Sequence, residues 1–163
     1  MPIRVQGAGS AATDCNATDT GTTLKTTRLD SIVNIDTYNH TVTAQAGVRL
    51  ETLVRELAGN GLELIGGYDL QGRTVGGAIA APCFGPCIGS NGGYFASSVL
   101  AMKIIRADGE VLKVESNQKN LLGAFRTSFG TLGIIYEATM RVRPIRTFKA
   151  THRRVSVDKF ASS

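Results

Sequence analysis

The residues of this chain best suited to hold a ligand are small ones. Gly7-Ala8-Gly9-Ser10-Ala11 opens the sequence, Thr74-Val75-Gly76-Gly77-Ala78-Ile79-Ala80-Ala81 sits near its middle, and Gly130-Thr131-Leu132-Gly133-Ile134-Ile135 comes late. Consecutive small residues expose their backbone N–H groups, and a concave run of such donors holds an anion such as phosphate without any charged side chain. A run of Gly and Ala also lets backbone lie against a flat ring or pack closely on a helix. Two arrangements fit: one extended ligand touched by backbone in three places, or three unrelated turns. Gly7, Gly9 and Ala12 also satisfy G-x-G-x-x-A after a short strand, the fingerprint of a dinucleotide-binding turn. That fingerprint works only when a helix begins at the second glycine and presents its N-terminus to a pyrophosphate. Residues 11–21 have no apolar 3.6-residue period and are crowded with Thr, Asp and Asn, which favour turns. The helix-based reading fails on context; a helix-free phosphate loop does not.

Other reactive side chains stand without partners at informative spacing. His40 falls in a predicted turn and His152 in a basic tail, with no neighbouring Ser, Cys or carboxylate that would make a catalytic pair. Cys83 and Cys87 flank Phe84-Gly85-Pro86 and read as buried inert thiols or as a redox pair. Tyr68 and Asp69 follow Gly66-Gly67 and either shape a pocket or form a turn. Asn16-Ala17-Thr18 and Asn39-His40-Thr41 are formal glycosylation sequons, with little meaning in the absence of a signal sequence at Met1.

The elements that must position these residues are mostly strands. Ile3–Gln6, 31–36 and 41–46 read as strands, the last two joined by Tyr38-Asn39-His40. Leu50, Leu53, Val54 and Leu57 mark one face of a helix that stops at Gly59-Asn60-Gly61. Segments 99–106 and 110–114 flank Asp108-Gly109, which predicts a hairpin with a type I′ turn. Leu121, Phe125 and Phe129 repeat every four residues and predict a second short helix. From Ile134 onward Tyr136, Ala138, Met140 and Val142 alternate with Glu137, Thr139, Arg141 and Arg143, a half-buried strand. The pattern is α+β, richer in strand than helix.

At 163 residues with 42% hydrophobic and 19% charged content, the chain is long enough to bury a core and is not of disordered composition. Three cysteines cannot all pair within one chain and lack the spacing of a zinc site, so a reduced, cytoplasmic setting is expected. No run of apolar residues is long enough for a membrane helix. The net charge of +5 gathers late, in Arg141, Arg143, Arg146, Lys149, Arg153 and Arg154. With aromatics at 6% and no recognition motif, nucleic-acid binding is not expected.

Five segments, taken in order, resemble the FAD-binding domain of the p-cresol methylhydroxylase and vanillyl-alcohol oxidase superfamily, nearest to its sugar-lactone oxidase and decaprenylphosphoryl-ribose oxidase branches. They are residues 5–10, Thr41-Val42-Thr43-Ala44-Gln45-Ala46-Gly47-Val48, residues 74–80, Arg106-Ala107-Asp108-Gly109-Glu110-Val111, and residues 130–135. The resemblance covers roughly residues 3 to 144. It implies a strand-rich α+β domain of the PCMH type with two or three helices. It further implies that Gly7, Ala8, Gly9, Ser10 and Ala11 hold the FAD pyrophosphate, and that Thr74, Gly76 and Gly77 run along the cofactor. Ala80, Ala81, Cys83 and Gly85 match the stretch beside the isoalloxazine ring, and Gly133, Ile134 and Ile135 the backbone near the adenine.

Departures from the family pattern carry expectations of their own. Where many relatives have a histidine joined covalently to the flavin, this chain has Ser10, and the segment Leu70-Gln71-Gly72-Arg73 offers no second attachment cysteine; FAD is therefore expected to be non-covalent. Phe84 replaces a ring-side histidine, and Ser97-Ser98 stands where the family usually has aspartate. The resemblance also implies that the first strand–helix unit is missing, that residues 145–163 begin the connection to a missing substrate domain, and that the catalytic base lies there. The expected activity of the whole protein is oxidation of an alcohol or sugar-type small molecule by hydride transfer to flavin N5, with oxygen or another electron acceptor completing the cycle. The other reading is a non-catalytic α+β module that binds an anionic partner through its basic C-terminal face.

Overall fold

The alternating pattern folds as strands wherever one face can be buried. The computed structural model describes residues 2–66, 72–85, 93–147, 149, 151, 152, 154 and 157. Its strands are β1 (Ile3–Gln6), β2 (Thr22–Lys25), β3 (Ile32–Asp36), β4 (Thr41–Gln45), β5 (Leu62–Leu64), β6 (Val99–Ile105), β7 (Val111–Glu115) and β8 (Ile134–Pro144). Its helices are α1 (Leu50–Gly59), α2 (Val75–Ala80) and α3 (Lys119–Phe125). Strands β1 and β2 pair in parallel as a separate two-stranded sheet; the others form a six-stranded sheet in the order β3-β4-β8-β6-β7, with β5 also on β8. All pairings in the large sheet are antiparallel. The fold is the strand-rich α+β arrangement expected, with α1, α2 and α3 among the described residues.

One face of the large sheet makes the core. Val42 and Ala44 of β4 sit opposite Met140 and Ala138 of β8, and all four are buried. Leu50, Leu53 and Leu57 of α1 and Val75, Ala78 and Ile79 of α2 join the same cluster. Each such aliphatic side chain contributes about 1.5–3 kcal/mol of burial free energy, so Leu53→Ala costs about 2–5 kcal/mol. On β8, Lys103 faces Glu137 while the next residue, Ile104, faces Ile135. Tyr136 is thus the extra residue of a bulge, and this reverses the expected alternation upstream of Glu137. Ile135, not Tyr136, is buried there, and the Tyr136 hydroxyl accepts from Gln45 Nε2 at 3.3 Å.

Two further expectations need correction, and two strands were not foreseen. The hairpin between β6 and β7 forms, but not on a type I′ turn. Gly109 N–H donates to Arg106 O, Arg106 N–H donates to Glu110 O, and only Gly109 has positive φ, +86°. This is a three-residue loop, a type I turn closed by one left-handed glycine. The second short helix ends at Phe125; Leu122 and Phe125 are its buried face, Leu121 is largely exposed, and Phe129 lies beyond it with φ +53°. Strands β2 and β5 carry no alternating signal, the first being exposed throughout and the second buried throughout.

Candidate functional site

The three glycine segments meet because hydrogen bonds pin them to common partners. Chain 46–50 runs antiparallel to chain 72–76: Leu50 N–H donates to Arg73 O, Val75 N–H to Val48 O, and Gly76 N–H to Ala46 O. Thr74 caps α2, its Oγ1 accepting from Gly77 N at 3.3 Å. The small sheet is tied to β4's end through Thr26, whose N–H donates to Gln6 O and whose carbonyl accepts from Leu29, and through Gly47 N–H to Leu29 O. On the far side, Thr127 N–H donates to Ile79 O and Phe129 N–H to Ala80 O.

A cleft results between the loop after β1, the body of α2, and the segment leading into β8. Gly7, Ala8, Gly9, Ser10 and Ala11 form one wall. Thr74, Gly76, Gly77, Ala80 and Ala81 form the floor, and Phe129, Gly130, Gly133 and Ile135 the opposite side. Val5, Cys15, Asn16, Thr26, Ala46 and Arg73 complete it. The free space is about 120 Å³, well under the ~300 Å³ of a closed small-molecule pocket, so this is a trough open to solvent. Among the described lining residues the only charged side chain is Arg73. No carboxylate stands among the described lining residues to oppose an anion.

The loop after β1 is a wall of unused donors. Among the described residues, the backbone N–H groups of Gly7, Ala8, Gly9, Ser10 and Ala11 donate to no protein acceptor. Gly7 and Ala8 are half-buried while Gly9, Ser10 and Ala11 are exposed. The run is thus open to solvent, and its amides are free to take an acceptor brought by a ligand. Gly7 makes the geometry possible: a Cβ there would lie 2.2 Å from Thr74 Oγ1, so only glycine brings the loop against the α2 cap. The second segment behaves differently. The amides of Val75, Gly76 and Gly77 are taken by Val48, Ala46 and Thr74, and this segment offers a flat surface of small residues in place of donors. Two phosphate groups need donors and a planar ring needs small neighbours. The residues present fit an FAD in both respects.

Three residues expected at the cofactor do not line the cleft. Cys83 is 4% exposed and its Sγ accepts from Arg73 Nη1 at 2.7 Å. Gly85 is buried, its N–H donating to Gly93 O in a short antiparallel pairing of chain 83–85 with 93–95. Ile134 sits in β8 next to Ile135, and successive strand residues point to opposite faces; only Ile135 reaches the cleft. Phe84, at the histidine-to-phenylalanine departure, is 66% exposed and stands edge-to-face on Tyr94, the ring centroids 5.6 Å apart. Tyr68, Asp69, Leu70, Gln71, Cys87 and Arg153 lie outside the described residues. His40 is in the β3–β4 turn, exposed in part and with φ +52°. Ser98 is buried, its hydroxyl donating to Phe95 O at 2.8 Å.

Sequence reasoning gave no cofactor role to Val5, Cys15, Asn16, Thr26, Ala46, Arg73 or Phe129, all of which line the cleft; Arg73 and Phe129 are the two with the largest side chains. Arg73 follows directly on the unpatterned segment before α2, and its adjacency to Thr74 was the available signal. Phe129 fitted a helical period, which concealed its place beyond the helix end.

Comparison with known proteins agrees with this geometry. Residues 1–115 match the family model described as an FAD binding domain. The chain is 28% identical over 155 residues to an L-gulono-1,4-lactone dehydrogenase of Mycobacterium tuberculosis, covering 95% of this chain and 35% of that protein. It is 30% identical over 143 residues to the L-gulonolactone oxidase of Mus musculus, covering 87% and 32%. With an alditol oxidase of a Streptomyces species it shares 30% identity over 124 residues, covering 76% and 29%. Among solved structures, an alkyldihydroxyacetonephosphate synthase superposes with a TM-score of 0.70 at 23% identity, covering 88% of this chain and 26% of the other. The chain spans about a third or less of the length of these relatives. With the family model matched over more than half of its length, the chain belongs to the FAD-binding domain family of the p-cresol methylhydroxylase and vanillyl-alcohol oxidase superfamily.

Proposed function

We propose that the chain is the cofactor-holding part of an FAD-dependent oxidoreductase acting on an alcohol or sugar-type small molecule, and that it holds FAD without a covalent bond. The observation that carries this is the run of amides at residues 7–11 that donate to no protein acceptor among the described residues, beside a cleft with no carboxylate among its described lining residues. In this reading those amides bind the pyrophosphate, Arg73 adds the one positive side chain, and Gly76, Gly77, Ala80 and Ala81 lie against the planar parts of the cofactor. FAD, when bound, supplies the hydride acceptor at N5; the protein binds and orients it. Ser10 in place of an attachment histidine supports non-covalent binding. The sugar-lactone and alditol relatives support the substrate class, and oxygen or another acceptor would reoxidise the flavin. The basic-face alternative has less in its favour, because Arg143 is tied to Glu63 with Nε 2.6 Å from Oε1.

Titrating the chain into FAD while following flavin fluorescence tests this directly, with riboflavin as the comparison. Saturable binding of FAD, no binding of riboflavin at the same concentrations, and release of all flavin to the supernatant on acid precipitation are expected. Equal binding of the two flavins would remove the pyrophosphate from the argument, and flavin retained in the precipitate would refute non-covalent attachment.

A further inference from the structure

A second cavity lies on the other side of the wall that closes the cofactor cleft. The wall consists of chain 79–82 and chain 126–130, joined by the hydrogen bonds from Thr127 to Ile79 and from Phe129 to Ala80. Phe129 and Gly130 face the first cleft. Arg126 and Thr127 face the second, together with Pro82, Tyr94 and Ser97, around about 280 Å³ of free space. Thr127 is held at φ +55° and Phe129 at φ +53°. Left-handed backbone costs a β-branched residue about 1–3 kcal/mol, so this partition is kept in a strained shape.

Arg126 is the feature that calls for a ligand. Its Nη2 donates to Val99 O, yet its Nε is fully shielded from solvent with no hydrogen-bond partner. Among the described residues no carboxylate lies within ion-pair distance of it. Burial pulls its guanidinium pKa below the ordinary arginine value, the direction expected of a cation without a counter-charge. The carbonyl of Val99 and the C-terminal end of α3 offer only partial negative charge. The shielded Nε is out of a ligand's reach, but Nη1 is neither shielded nor hydrogen-bonded among the described residues. The outer end of a guanidinium, Nη1 with the second N–H of Nη2, is matched by the two oxygens of a planar or tetrahedral oxyanion, which it binds in a fork. The Ser97 hydroxyl, which has no partner among the described residues, and that of Tyr94 stand at the same cavity as further donors.

We propose that this second cavity is a binding site for a small oxyanion, a carboxylate or a phosphate group, held by Arg126. The site is separate from the cofactor cleft, and its test needs no flavin. At 163 residues the chain suits amide-resolved NMR, so sodium acetate and inorganic phosphate are titrated separately at constant ionic strength. Saturable shifts of the amides of Ala96, Ser97, Arg126 and Thr127 are expected with at least one probe; the probe that saturates at lower concentration tells carboxylate from phosphate. Arg126→Met should abolish the saturation and Arg126→Lys, which keeps charge but loses the fork, should weaken it about tenfold. Ser97→Asp, an exposed position, supplies a carboxylate from within and should abolish binding even if Arg126→Met fails to fold. Absence of saturable shifts with both probes overturns the proposal, as do shifts that persist unchanged in Ser97→Asp.

Discussion

A methyl group added at Gly7 would sit 2.2 Å from Thr74 Oγ1, so Gly7→Ala must push the loop after β1 away from the cap of α2. Overpacking of this kind costs about 1–3 kcal/mol, and here the cost falls on the position of the donors more than on the core. FAD affinity should drop about tenfold or more, by fluorescence titration, with the urea midpoint of the ligand-free chain little changed. Thr74→Val separates cap from cradle differently. It keeps the shape and removes the oxygen that accepts from Gly77 N, so it should cost about 1 kcal/mol of stability, read as a lower urea midpoint. The small residues at 7–11 and 74–81 could be recognised in the sequence because residue type alone marks a close backbone approach. Which of their amides are spent internally could not, because the acceptors, Ala46 and Val48, lie in another segment and are assigned only by the register of chain 46–50 against 72–76. Arg73 escaped notice for the same reason: one arginine becomes the cleft's charge only when the fold sets it among small uncharged residues drawn from other segments, as it does among the described lining residues.

The turns and strands obey local chemistry where that chemistry is strong. Asp36 closes the β3–β4 turn by accepting from the backbone N–H groups of Asn39, at 2.8 Å, and Tyr38, at 3.0 Å, and from the Asn39 side chain at 2.7 Å. The backbone bond from Asn39 is the main reason its carboxyl pKa lies below the ordinary aspartate value, with the Asn39 side chain next. A carboxyl whose folded pKa is depressed stabilises the fold above its unfolded pKa and loses that contribution as pH falls through the folded value. Acid should therefore weaken the native chain more steeply below about pH 4 than it weakens Asp36→Asn, seen in urea midpoints across pH 2 to 6. At the other hairpin, Gly109 has φ +86° with open space where a Cβ would be. Gly109→Ala then costs only the left-handed backbone, about 1–2 kcal/mol. Asp108-Gly109 announced a hairpin correctly but not its turn, because loop length is set by the pairing of Arg106 with Glu110 across it. The β8 bulge is equally silent in sequence: Tyr136 reads as core by period until the partner strand β6 fixes two residues against one.

At the scale of the whole molecule, the cofactor cleft is built from segments more than forty residues apart at each step, and none of its walls is complete alone. The loop after β1 belongs to the two-stranded sheet, the floor to α2, and the far side to the chain entering β8. A ligand that bridges them has to protect all three at once, whereas one held by the loop alone would protect only residues 7–11. Hydrogen exchange separates these cases. With FAD saturating, the amides of residues 7–11 should slow, since they gain acceptors they lack in the free chain. Residues 127–133 should slow in parallel, because the strained partition can open only if the cleft empties. Stabilisation by mass action adds about 2.7 kcal/mol at a free FAD concentration a hundred times its Kd, so amides of the core strands β4, β6 and β8 should slow by up to about a hundredfold where they exchange by global unfolding. ADP, carrying the pyrophosphate without the flavin, should protect residues 7–11 and leave Ala80 and Ala81 at their free rates. Protection confined to residues 7–11 with FAD itself would mean that the three walls do not share one ligand, and the convergence of the glycine segments would then be a matter of packing alone.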